Sequence, residues 1–204
     1  MKKSLKAKKT TKAKKPASPK ARKAKATGFY AQSKRLGFRL LTPSDKELYV
    51  SLYTDPKTLE HVHAPLTREL AEQSFQRALD STFIMPLKRR ITVIVERKSK
   101  KPIGIAGLKL VDADTRRAEC GILLKPTAHA QRFALEGSLA LIDAAFKRHT
   151  ISEIAAQVTI GHKAGERLVK SIGYIRVGDL PCMGSQPARS AWSITRDKWA
   201  DTFK

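Results

Sequence analysis

The chain has 204 residues, 41% of them hydrophobic, and a formal net charge of +23. That length suits one ordinary domain with an appendage, and without an apolar run of about eighteen residues no membrane association is expected. Cys120 and Cys182 are its two cysteines, in no metal-like spacing, so neither a disulfide framework nor a zinc site is expected and a reducing cytoplasm is the default compartment.

Residues 1–28 hold eleven lysines, Arg22 and no acid, a charge of +12; the remaining 29 bases face 18 acids and leave +11. Such a segment has too few large apolar groups to offset the entropy of ordering, so a disordered basic tail is expected. Its composition resembles the tails of linker histones and histone-like bacterial proteins, and Ser18-Pro19-Lys20-Ala21-Arg22 is similar to their Ser-Pro-basic repeats. A dozen uncompensated cations predict non-specific association with nucleic acid or ribosome through counterion release, with an affinity that falls steeply with salt. The alternative is a solvated tail that aids solubility. The segment has no apolar core of a secretory signal and is Lys-rich rather than Arg-rich, unlike a transit peptide.

The body, residues 29–204, starts with an alternating strand, Arg35 to Leu41. Thr42-Pro43-Ser44-Asp45 supplies a cap and a Pro suited to a helix start, and Leu48, Tyr49, Leu52 and Tyr53 mark a short helix that stops near Asp55-Pro56. Pro56 to Val62 forms one more turn, and Thr67 caps a helix reaching about Thr82. The β-branched run Ile91–Val95 and then Ile103–Val111 read as strands, with Gly104 and Gly107 as bulge or close-approach positions.

Ala118, Cys120, Ile122 and Leu124 recur at period two, one face of a third strand. After a loop with Pro126, Leu135, Leu139, Ile142 and Phe146 form the apolar stripe of a helix. A loop that delivers free backbone N–H groups at a helix N-terminus is a candidate phosphate cradle. Glu153 to Thr159 alternates again; Ala164, Leu168 and Ile172 make a helix with Gly173 as its C-cap; Tyr174–Val177 and Ala191–Ile194 are strands around a loop from Gly178 to Pro187, and Arg196–Phe203 closes the chain as a helix. The expected fold is mixed α/β (α+β), a mostly antiparallel sheet of about seven strands with flanking helices and one crossover helix.

This order, with RLGFRLLTPSDKELYVSLYTDP, then AECGILLKP and FALEGSLALIDAAF, then HKAGERLVKSIGYIRVG, resembles the GCN5-related N-acetyltransferase (GNAT) superfamily in its RimJ/RimL-like branch. The resemblance implies acetyl transfer from acetyl-CoA to an amine, with the pantetheine arm between two splayed central strands and the pyrophosphate on the crossover helix. The implied cofactor-binding residues are Ile122, Leu123 and Leu124 on the strand, His129, Ala130, Gln131, Arg132, Phe133 and Ala134 in the pyrophosphate loop, and His162 before the next helix. The family's loop is Gln/Arg-x-x-Gly-x-Gly/Ala, and only Ala134 matches it; Arg132 stands where a glycine is expected. His162 and Gly165 stand where relatives often carry Asn and Ser.

Glu119, on the strand face opposite Ile122, is the candidate general base; the alternative is a surface carboxylate paired with Arg116 or Arg117. The family's acid Tyr falls near Val169 and is absent, with Ser171 and Tyr174 as nearby hydroxyls to which no role is assigned. His61 and His63 lack a third ligand for a metal and belong to a substrate-side or solvated loop. His149 suits the negative end of the central helix, and Trp192 and Trp199 read as packing residues. Two functions stay open: an acetyltransferase whose tail docks on ribosome or nucleic acid, and a catalytically weak acetyltransferase fold used as a binding module beside that tail. The expected partners are a coenzyme A thioester and an amine of unassigned identity, with the body a monomer or dimer.

Overall fold

The computed structural model describes residues 29–203 apart from 83, 85, 86 and 185, so the tail expected over residues 1–28 lies outside the described residues. A short β1 (Ala31–Gln32) and β2 (Leu36–Leu40) lead into a tight turn, Pro43–Asp45, and the helices α1 (Lys46–Thr54), α2 (Pro56–Leu59) and α3 (Arg68–Thr82). The turn is fixed by a capping box between Thr42 and Asp45, and Arg39 clamps the buried Asp45 carboxylate with bonds of 2.7 and 2.6 Å. Then come β3 (Arg89–Glu96), β4 (Pro102–Asp112), β5 (Arg117–Leu124), α4 (Phe133–Arg148), β6 (Glu153–Thr159), α5 (Lys163–Ile172), β7 (Ile175–Leu180), β8 (Arg189–Thr195) and α6 (Arg196–Thr202).

The described strands form one eight-stranded sheet in the order β1-β2-β3-β4-β5-β6-β8-β7, antiparallel except for β5 and β6. About seven strands were expected; the additional one is β1, whose two residues are too short to show a period. The segment Gly178–Leu180, expected as loop, continues β7 to Leu180 by pairing with Arg189 to Ala191. Its residues are mostly exposed at the sheet edge, so they carry no apolar alternation to read.

The sheet buries both faces. On one, Leu36, Phe38, Leu108, Ile154 and Ile194 pack under α4 and α5; on the other, Leu41, Val93 and Ile105 pack under Tyr49 of α1 and Phe75 of α3. Strand β5 sorts its side chains accordingly: Ala118, Cys120, Ile122 and Leu124 face α4, and Leu123 packs on the opposite face. Gly104 opposes Leu124, and a Cβ there would collide with the Leu123 carbonyl oxygen, which makes it a close-approach position. Gly107 is less constrained: a Cβ would meet Ile91 Cδ1 at 3.2 Å, and the register shifts fall elsewhere, at Ile94/Val95 and Leu110/Asp112. Gly173, at φ 94°, ends α5 in the left-handed conformation.

Candidate active site

Parallel pairing between β5 and β6 stops almost as soon as it starts. Only Arg117↔Glu153, Ala118↔Ile154 and Glu119↔Ala155 are matched, although β5 runs on to Leu124 and β6 to Thr159. Beyond Glu119 the strands part, and the edge of β5 from Cys120 to Leu124 has no partner strand on that side. A sheet held together elsewhere by cooperative ladders thus opens a wedge in its middle, lined by backbone groups that need acceptors or donors.

Glu119 stands at the apex. Gln157 Nε2 donates to its Oε2 at 3.1 Å across the first step of the opening, and the carboxylate is half-buried. The alternative arginine pairing is not what the structure holds: Arg117 is 3.2 Å from Glu153 instead, and Arg116 makes no ion pair among the described residues. A Cβ on Gly121, next on the same face, would meet nothing within 4 Å, so the wedge is open there. Ile122, Leu123 and Leu124 direct their side chains into the two cores. What these three offer a ligand is main chain.

At the wide end of the wedge, Pro126–Ala128 makes a single 3-10 turn, and His129 places Nε2 3.1 Å from the Leu124 carbonyl oxygen. Ala130 and Arg132 then both take φ 61°, and Arg132, with ψ 16°, caps α4 in the left-handed conformation. This is the conformation that a glycine serves without steric cost. Arg132 therefore holds, at the expense of local strain, a conformation that a glycine would take freely. Among the described residues no acceptor takes the amides of Ala130, Gln131, Arg132, Phe133, Ala134 and Leu135. Phe133 anchors the helix start, buried in the core with the Arg35 guanidinium 4.5 Å above its ring, and Ala134 is half-buried beside it.

An acid in the first turn of α4 would repel an anion, and Glu136 is one. It is neutralised: Arg35 Nε lies 2.6 Å from Oε2, while Ser33 Oγ and the Arg35 amide donate to Oε1 at 2.7 and 2.8 Å. Burial alone would raise its carboxyl, but the bonds from Ser33 and Arg35 outweigh it and hold the group below the usual carboxylate range. Arg35 also donates to the Gln131 carbonyl at 3.0 Å, tying β2 to the loop. Sequence reasoning missed this role, since about a hundred residues separate Arg35 from Glu136 and no spacing rule links them.

His162 precedes α5 at the open end of β6, and its amide donates to the Thr159 carbonyl at 3.0 Å. Its ring stacks on His61 at 4.0 Å over Gly165, where a Cβ would lie 2.7 Å from His162 Nδ1. Desolvation and the nearby His61 lower its pKa. No hydrogen bond or ring contact among the described residues joins His162 to residues 129–134. The His61 carbonyl accepts from Thr159 Oγ1 at 2.7 Å, so the loop after α2 borders the wedge. His63 stacks on Tyr53 and lines an open cavity of about 270 Å³ with Leu59, Glu60 and Pro187.

Val169 is core, and Ser171 is exposed on α5. Tyr174 is different: its hydroxyl lies 3.3 Å from Cys120 Sγ, one residue past the apex. Desolvation pushes the Cys120 thiol up to about 11, and desolvation with the adjacent thiol pushes the Tyr174 hydroxyl up as well, so both keep their protons at neutral pH. Sequence reasoning had named Tyr174 without a role. His149, expected to complement the end of α4, is held neutral by burial and by Arg90 and Arg148, and the carbonyls of Phe146, His149 and Ile151 are taken by the Arg196 guanidinium at 2.5–2.9 Å. Trp192 and Trp199 are buried.

A family model, the acetyltransferase (GNAT) domain, matches residues 35–175. An uncharacterised N-acetyltransferase, p20, of Bacillus licheniformis is 23% identical over 149 residues, 72% of this chain and 83% of that protein. Among solved structures, a GNAT-family acetyltransferase from Bacillus anthracis superposes with a TM-score of 0.71 at 16% identity, over 82% of this chain and 98% of the other. Spermidine N-acetyltransferase from Vibrio cholerae, in complex with CoA and spermine, gives 0.70 at 18% identity over 82% and 99%. RimL, a ribosomal L7/L12 α-N-protein acetyltransferase in complex with CoA, gives 0.70 at 13% identity over 81% and 97%.

Proposed function

The chain belongs to the GNAT acetyltransferase family, and on that premise we propose that it transfers an acetyl group from acetyl-CoA to a primary amine, either a protein N-terminus or a small-molecule amine, with residues 1–28 associating with nucleic acid or the ribosome. The observation that carries this reading is the meeting of a β5 edge and amides from Ala130 to Leu135 that both lack partners among the described residues. The spermidine and L7/L12 acetyltransferases of similar fold act on amines of these two kinds.

The residues present fit coenzyme A. A pyrophosphate requires N–H donors and positive charge, and the loop supplies both, with Arg132 at the start of α4 and the Glu136 charge offset by Arg35. When bound, the thioester supplies an activated acetyl carbon. Backbone N–H groups on the open β5 edge between Gly121 and Leu124 are placed to stabilise developing negative charge on the carbonyl oxygen. Glu119 takes the proton that the amine gives up as the N–C bond forms. Tyr174, whose hydroxyl lies 3.3 Å from Cys120 Sγ one residue past the apex, is our candidate to protonate the leaving sulfur as the C–S bond breaks. Two free cysteines suit a reducing cytoplasm.

A second reading, a binding module with little turnover, is favoured by Val169, which fills core where relatives place an acidic hydroxyl. Calorimetry of the full chain with acetyl-CoA, followed by a thiol-release assay over N-terminal peptides and polyamines, separates the two. Heat of binding with turnover on either amine class is expected. No heat and no thermal shift at millimolar acetyl-CoA refutes the enzyme reading, and binding without turnover on any amine favours the module.

A further inference from the structure

The wedge occupies one end of α4, and the opposite end has a character of its own. There, Tyr30 lies between two guanidiniums, with Arg90 Cζ and Arg148 Cζ each 5.5 Å from its ring centroid, and its hydroxyl is 2.9 Å from His149 Nε2. Arg148 and His149 pass from this cluster into an open cavity of about 590 Å³, whose other basic lining residues are Arg116, Lys147 and Arg196 and whose one acid is Asp197. Nearby acids are already taken: Asp143 is 2.9 Å from Lys147 and Glu153 is paired with Arg117. Arg116 and Arg148 are exposed and make no ion pair among the described residues. Of the carbonyls at this end, those of Phe146 in α4 and of its cap His149 accept from Arg196.

Where the chain enters this end decides which polyanion fits it. Phe29, the first described residue, precedes Tyr30, so the +12 segment of residues 1–28 joins the body beside Arg148 and Arg90. A short anionic ligand would need only the cavity. A tail and a body surface that present cations in succession suit a long polymer of evenly spaced charges. We propose that this end of the body, with Arg116 and Arg148 as its free cations, docks nucleic acid through the backbone phosphates as a continuation of the tail. The proposal rests on the tail reading above for that continuity. Tyr30 is buried under its arginines and is not a stacking platform, so no base preference is expected.

The test is fluorescence anisotropy of the full chain with a labelled DNA duplex of about 20 base pairs across a salt series. Arg116→Asn removes a charge at a residue with φ 55°, a conformation that Asn tolerates, and Arg148→Gln removes the charge while keeping a polar, helix-compatible side chain. The double variant is expected to bind about tenfold more weakly near physiological salt, with a log–log salt slope smaller by about two, while Arg148→Lys alone keeps the wild-type slope. Melting curves confirm that the variants fold. If the double variant keeps affinity and slope while a full chain with glutamines at the lysines of residues 1–28 loses both, the surface proposal fails and the tail reading stands. If the glutamine-tail chain binds like wild type and the double variant does not, the tail reading and with it the continuation fail, and the body surface alone docks the duplex. An acidic polypeptide that displaces the duplex equally well at matched charge overturns nucleic acid as the partner.

Discussion

Arg132 offers the sharpest test of whether the loop before α4 is a working cradle. Its backbone sits at φ 61°, ψ 16°, where a Cβ costs an L-residue about 1–2 kcal/mol. Two substitutions separate the backbone from the guanidinium. Arg132→Ala removes the charge and keeps the Cβ; Arg132→Gly removes both. Relief of strain in the glycine variant is offset by about 0.4–1 kcal/mol of extra unfolded-state entropy. Arg132→Gly should therefore be more stable than Arg132→Ala by about 0.5–1 kcal/mol, a difference of about 1–4 °C in melting temperature for a domain of this size.

Binding should move the other way. Among the described residues the amides from Ala130 to Leu135 already have no acceptor in the wild-type loop, so glycine has no donors left to release. Both variants lose an exposed guanidinium beside the pyrophosphate position, worth about 1 kcal/mol, and should bind acetyl-CoA about fivefold more weakly than wild type. Calorimetry at low and moderate salt measures this, and the deficit should shrink as salt rises. Tighter acetyl-CoA binding by Arg132→Gly than by wild type would refute the reasoning. It would show that the arginine side chain obstructs the cradle.

Three further outcomes follow from the same geometry. Glu119→Gln should lower kcat about a hundredfold and leave acetyl-CoA affinity and melting temperature near wild type, because Gln157 can still donate to the new amide oxygen; unchanged kcat removes Glu119 as the base. Burial would raise the Asp45 carboxyl, but the bonds from Arg39 and Thr42 prevail and hold it low, so its contribution to stability is complete above the ordinary carboxylate range and is lost as pH falls through the depressed pKa. Wild type should thus lose stability in acid below about pH 4, and Asp45→Asn should be about 2 kcal/mol less stable at pH 7 with a flatter acid limb in denaturant titrations. Gly104→Ala drives a Cβ into the Leu123 carbonyl and to 2.8 Å from Leu124 Cδ2, which should cost about 2 kcal/mol and, by displacing the β5 edge, weaken acetyl-CoA binding; a variant with wild-type melting and affinity contradicts the close approach.

Most of the frame was legible because periodicity reports burial. Ala118 to Leu124 alternates since one face lies under α4, and Leu135, Leu139, Ile142 and Phe146 stripe the helix that covers it. Gly173 marked the end of α5 because its φ of 94° needs a glycine. The site itself was less legible. The left-handed backbone at Arg132 has no signal in an arginine, so the conformation of the loop could not be read from its residues. Arg35 and Arg196 act on groups distant in sequence, and only the folded chain brings Glu136 and the α4 carbonyls to them. Tyr174 was ambiguous for a similar reason: its hydroxyl has meaning only once β5 brings Cys120 within 3.3 Å.

On the two proposals above, one helix serves two anionic ligands without coupling them. Sixteen residues at about 1.5 Å each place the loop and the basic cluster some 24 Å apart, about three Debye lengths at physiological salt. The helix dipole favours an anion only at the Arg132 end. At the other end that preference is reversed by side chains: Arg196 covers the carbonyls of Phe146, His149 and Ile151, and Arg90 and Arg148 add to burial in keeping His149 neutral. A positive field there is thus built against the backbone, while at the loop it is built from it. Loss of charge at Arg148 should for this reason leave acetyl-CoA affinity intact, and a change at Arg132 should leave the salt slope of duplex binding intact. Salt alone should weaken both together.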